Sequence, residues 1–117
     1  MDGSASADWF DSSEMFIGGT WRQVRTTLPL ENPSTGEEIG RIARGGAAEI
    51  DMAVTAARTA LAGDWGHFTA TERGRILTRL GQLVLDRVDD LARLEALDVG
   101  KPLKQARADA LALARYM

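Results

Sequence analysis

The chain has 117 residues, 44% apolar and 26% charged, which suits one folded domain with a real core and excludes collagen-like, coiled-coil and disulfide-scaffold classes. With no cysteine and one histidine, this stretch has no thiol nucleophile, disulfide or multi-histidine metal site. The net charge of −3 comes largely from Asp2, Asp8, Asp11 and Glu14, so the rest is near neutral and offers no basic face for nucleic acid.

No apolar run approaches the roughly 18 residues of a membrane span, so no membrane partner is expected. The opening residues lack the basic start and apolar stretch of a signal peptide, and a cytoplasmic location is expected. Residues 1–15 read as a disordered acidic tail. Through residue 13 they are mainly Asp, Ser, Ala and Gly around Trp9-Phe10, a composition with little to bury.

Phe16-Ile17, Gly18-Gly19 and Thr20-Trp21 predict a tight hairpin, because Gly-Gly accepts the positive φ angles of two-residue turns. A second hairpin carries Leu28, Leu30, Ile39 and Ile42 around Asn32-Pro33-Ser34-Thr35-Gly36-Glu37. Pro33 pre-sets the first turn position and Gly36 takes the left-handed one. Pro29 marks an edge strand, having no N–H to give a ladder.

From Gly45-Gly46 onward the pattern is helical, with helices expected near 47–62, 70–87, 90–99 and 103–117. Gly63 stops the first, and Asp64-Trp65-Gly66-His67-Phe68 reads as a loop stapled by two aromatics. Thr69 and Glu72 form a capping box for the second. Gly100-Lys101-Pro102 separates the last two, with Pro102 able to open a helix. Leu103, Ala106, Ala110, Leu113, Ala114 and Met117 continue an apolar face to the final residue without a closing cap. That predicts a truncated piece of something longer, with Leu83, Val84, Leu111, Leu113 and Met117 partly uncovered. The chain alone is a mostly helical α+β segment: short amino-terminal β-hairpins, then about four helices.

Chemistry-bearing residues are sparse. His67 has no nucleophile at a partnering distance in sequence and reads as structural. The glycines match neither the dinucleotide nor the P-loop pattern. Arg73, Arg75 and Arg79 read as a solvated or salt-bridged face. Glu95 and Asp98 share one helix side, as paired carboxylates can, but with no pocket signal they read as a helix-end polar network.

Four stretches in order carry a resemblance: Phe16-Ile17-Gly18-Gly19-Thr20-Trp21; residues 31–40 with Asn32-Pro33-Ser34-Thr35-Gly36-Glu37; residues 72–77 with Arg75-Ile76-Leu77; and residues 91–103 with Glu95, Leu97, Asp98, Gly100, Lys101 and Pro102. Asp51, Ala53 and Val54 add a helix start. Over residues 16–117 the order and spacing resemble the start of the aldehyde dehydrogenase superfamily, with a mild departure at Val99. The resemblance implies an α/β parent with a Rossmann-like cofactor domain, of which residues 16–117 are the amino-terminal part, incomplete at the carboxyl end. It implies oxidation of an aldehyde to a carboxylate with NAD or NADP through a cysteine thioester, in a homodimer or homotetramer. No catalytic or cofactor-binding residue carries over to these positions, and this stretch alone is expected neither to turn over nor to bind the cofactor. One site does carry over from some family members: a monovalent cation held by Asp98 and by main-chain oxygens at Leu30 and Glu31, hard ligands for a hard ion. Asp98 capping the following turn is the competing reading. A stand-alone helical interaction or regulatory module at residues 69–117 is the competing class. A helix-turn-helix lacks a basic recognition helix.

Overall fold

The computed structural model describes residues 13–117, in two compact units. Trp9, Phe10 and the tail through residue 12 lie outside the described residues. The expected tail boundary at residue 15 moves, because Glu14 and Met15 are already paired in a strand.

In the first unit, β1 (Glu14–Ile17) and β2 (Thr20–Gln23) form an antiparallel pair in the register Phe16↔Trp21 and Ile17↔Thr20. Gly18 and Gly19 make the turn at φ +62° and +81°, angles costly for any residue with a Cβ. The Phe16 and Trp21 rings sit 5.2 Å apart and tilted by 55°, a cross-strand pair of the kind that fixes hairpin register. Strands β3 (Thr27–Glu31) and β4 (Glu38–Ala43) pair antiparallel, with a register shift between Leu30 and Glu31 that leaves Ile39 as the extra residue. Among the described residues this sheet has two strands, and Pro29 meets no second neighbour.

Helix α1 (Ala47–Ala62) starts at Gly46, whose N–H donates to the Glu49 carboxylate at 2.7 Å. The segment expected to be a loop after Gly63 contains one helical turn, α2 (Asp64–His67). Asp64 at its start suits the positive end of the turn. His67 Nδ1 donates to the Gly63 carbonyl at 2.7 Å, so the histidine closes this corner. Trp65 and Phe68 are half-buried, as aromatic staples should be.

The second unit comprises Asn32–Thr35 and Phe68–Met117. Its helices are α3 (Ala70–Asp86), α4 (Val88–Val99) and α5 (Leu103–Tyr116). The capping box at α3 is present: Glu72 N–H donates to Thr69 Oγ1 at 3.3 Å, and Thr69 N–H donates to Glu72 Oε2 at 2.7 Å. A single residue, Arg87, separates α3 from α4. Helix α5 packs against both α3 and α4. Buried residues along these contacts are small: Gly81 on α3, Ala92 on α4, Ala106 and Ala110 on α5. Small side chains let helix backbones approach closely. A Cβ at Gly81 would lie 2.8 Å from the Ala114 carbonyl oxygen and 3.3 Å from Met117 Cβ. Among the described residues, no large side chain is fully buried. Of the positions expected to be uncovered, Leu83 and Leu113 are exposed, and Val84, Leu111 and Met117 are half-buried.

Two helical glycines of α3 predict opposite signs. At Gly81 an added methyl meets backbone, so Gly81→Ala is expected to destabilise by about 1–3 kcal/mol despite alanine's better helix propensity. At exposed Gly74 an added methyl meets nothing within 4 Å, so Gly74→Ala is expected to stabilise by roughly 0.5–1 kcal/mol. Urea denaturation of both variants checks this; equal shifts of the same sign would refute the close α3–α5 contact.

Candidate functional site

Two motifs far apart in sequence come together in the second unit. The Asn32 side chain accepts from Ser34 N–H at 2.9 Å, and its carbonyl accepts from Thr35 N–H at 3.2 Å. This Asx turn holds Pro33 outward. Pro33 meets Gly100, the residue that ends α4. A Cβ on Gly100 would lie 2.9 Å from Pro33 Cγ, and Gly100 sits at φ +69°. Both facts demand glycine: the left-handed backbone strains other residues, and the proline fills the space a side chain would use.

Lys101 follows at once. Its ammonium donates to Asp109 Oδ2 on α5 and to Glu95 Oε1 on α4, each at 2.5 Å. These two hydrogen bonds, the one to Asp109 first, raise the Lys101 pKa above the ordinary lysine value. A second pair, Arg107 Nε to Asp89 Oδ1 at 2.9 Å, also joins α5 to α4. Exposed pairs of this kind add little energy singly. Their effect here is orientation, since Lys101 ties both flanking helices to the turn between them.

The expected helix-end polar network thus centres on Lys101 and includes Glu95, while Asp98 is exposed on the last turn of α4. That turn is closed by the Gly100 N–H donating to the Ala96 carbonyl at 3.0 Å. The sequence reading missed Asp109, eight residues after its partner, because helix spacing rules cover neighbours three and four apart. Leu30 is half-buried and Glu31 exposed, both on β3 at the register shift, where a ladder is locally disrupted. Leu30 and Glu31 belong to the first unit and Asp98 to the second. Among the described residues, no group of three or more His, Cys, Asp or Glu side chains comes together. Arg73 Nη1 donates to the Phe68 carbonyl at 2.6 Å.

In the first unit, a groove of about 300 Å³ is lined by Arg25, Arg44, Gly45, Gly46 and Glu49 at the start of α1. There the Gly46 N–H donates to the Glu49 carboxylate. A second groove, about 390 Å³, lies between β1 and α1, with Ile17, Arg22, Asp51 and Met52 on its walls. Neither presents the glycine cradle of a pyrophosphate site.

The chain matches a family model described as the aldehyde dehydrogenase family over residues 21–117. It is 40% identical over 99 residues to aminoaldehyde dehydrogenase 2 of Solanum lycopersicum, covering 82% of this chain and 20% of that protein. A solved Burkholderia cenocepacia protein assigned as an aldehyde dehydrogenase is 52% identical, with a TM-score of 0.85 over 90% of this chain and 22% of its own. An aldehyde dehydrogenase from Bacillus cereus, solved in complex with NAD+, is 31% identical, with a TM-score of 0.87 over 98% of this chain and 25% of its own. The chain spans about a fifth of the length of the curated relatives it matches. The match runs through all of residues 69–117, which favours the enzyme family over a stand-alone helical module.

Two outcomes are expected at this site. Gly100→Ala should destabilise by about 1–2 kcal/mol from the left-handed backbone alone, and chemical denaturation reads it. Because the folded-state pKa of Lys101 is raised, its contribution is fully present below the ordinary lysine pKa of about 10.4 and is lost as pH rises through the folded value. The stability gap between wild type and Lys101→Met should therefore stay constant from pH 7 to about 10 and shrink above that. A gap that grows with alkalinity would contradict the clamp.

Proposed function

Since this chain belongs to the aldehyde dehydrogenase family, we propose that it supplies the amino-terminal part, residues 16–117, of the NAD(P)-binding domain of an aldehyde-oxidising enzyme. The observation that supports this most is the docking of the Asn32-Pro33 turn on Gly100 beside the Lys101 clamp. It brings together the two stretches that carry the family resemblance.

In this reading the segment's work is mechanical. It holds α4 and α5 at a fixed angle and presents helix faces to the rest of the domain. The nucleophile and the hydride acceptor come from elsewhere, because these residues include no cysteine and no dinucleotide cradle. The Bacillus cereus relative solved with NAD+ supports NAD as the cofactor of the whole enzyme. A homodimer or homotetramer and a cytoplasmic location complete the proposal. The monovalent-cation role of Asp98, Leu30 and Glu31 is part of it too, supported by the family resemblance and by the oxygen chemistry of those groups. The sodium or potassium dependence of the enzyme's thermal stability, with and without Asp98→Ala, tests that role.

The activity is tested by exchange. Residues 21–117 replace the matching stretch of the Bacillus cereus enzyme, and aldehyde-dependent NADH formation is followed. The chimera is expected to turn over within about tenfold of the parent, the span of 1.4 kcal/mol in a barrier, and the isolated chain not at all. A folded chimera without turnover would overturn the proposal.

A further inference from the structure

The first unit has little buried inside it. Among the described residues, Ile17 on β1 is its one buried side chain. Strand side chains alternate, so Met15 shares the face of Ile17, while Phe16 lies on the other face and is exposed. Met15 is half-buried. Its thioether lies on the backbone of Gly45, next to the Gly46 that starts α1. A Cβ at Gly45 would sit 2.9 Å from Met15 Cε and 3.6 Å from Sδ, so the thioether takes the place of a side chain at position 45. It joins the open end of the β1–β2 hairpin to the start of α1. That end is closed by Val24 N–H, which donates to the Ser13 carbonyl at 3.0 Å. Met52, on α1, is 40% exposed and lines the groove beside Ile17.

We propose that Met15 is a reversible, peroxide-sensitive latch whose oxidation frees the open end of the hairpin from the start of α1. The reaction is a two-electron oxygen transfer. The Sδ lone pair bonds to one oxygen of hydrogen peroxide, the O–O bond breaks, and the second oxygen leaves as water. The sulfur is oxidised to the sulfoxide and the peroxide is reduced. A methionine sulfoxide reductase returns the thioether: the oxygen departs as water while two thiols are oxidised to a disulfide. The sulfoxide is polar where the thioether was apolar. Its oxygen needs water or a donor, and holding it against the Gly45 backbone with neither is costly. Turning it to water gives up the contact instead. With Ile17 the one buried side chain of the unit, no deeper core offsets that loss. The latch is independent of the activity proposed above.

Amide hydrogen exchange of the chain before and after dilute hydrogen peroxide, with peptide mapping of each methionine, tests this. Exchange at Val24 is expected to quicken roughly fivefold or more as Met15 oxidises. The Gly100 N–H, bonded to Ala96 in the second unit, is expected to stay unchanged. A methionine sulfoxide reductase with dithiothreitol is expected to restore the original rate. Met15→Leu keeps the volume without the reactivity and is expected to abolish the response, whereas Met52→Leu is expected to retain it. Met15→Gln, polar without any oxidant, is expected to exchange at the faster rate from the outset. A Met15 that stays reduced when Met52 is fully converted overturns the proposal. So does a Val24 that is unprotected before oxidation or unchanged after it. An equal rise at Val24 and Gly100, or a response abolished by Met52→Leu, overturns it too.

Discussion

The second unit depends on how closely two helix backbones can approach at Gly81. With the would-be Cβ only 2.8 Å from the Ala114 carbonyl, α3 and α5 cross where side chains are small. Ala106 and Ala110 continue the small surface along α5, and Ala92 supplies it on α4. The buried layer is therefore made of backbone and methyl groups. Contacts of this type give many short-range dispersion terms per unit length but little buried apolar area. The geometry is well defined while the hydrophobic gain is modest, and the large side chains remain for other faces.

The turn that enters this unit from the β-hairpin follows the same logic. Pro33 fills the space above Gly100 that an ordinary side chain would take, and the Asx turn keeps it there. Lys101 then links α4 and α5 through two carboxylates. Steric fit sets the position and charge sets the angle.

Much of this was legible in the residues. Gly18-Gly19, Thr69 with Glu72, and Gly100 before Pro102 each state a local backbone requirement, and local requirements read directly from sequence. The turn at Asp64–His67 is not legible in the residues because a single helical turn carries no periodicity to detect. The start of β1 is not legible in sequence because Glu14 and Met15 are not typical strand residues, and their pairing with Gln23 and Arg22 decides the matter. The Gly81 crossing and the Asp109 end of the clamp were invisible for a different reason. Both are contacts between elements, and a lone glycine in a helix pattern looks the same whether it faces solvent, as Gly74 does, or a neighbouring carbonyl. The proposed cation role of Asp98, Leu30 and Glu31 rests on resemblance alone.

The single-residue joint at Arg87 restricts chain length. Helices α3 and α4 share that residue as end and start, so there is no slack between them. Inserting one residue would rotate everything after it by about 100° about the helix axis, carrying α5 away from its crossing with α3 at Gly81. A change in chain length at this joint is therefore costly to the packing of the three helices, and the Gly18-Gly19 tip is no freer, since a Cβ at Gly18 would lie 3.5 Å from Ala56 Cβ on α1.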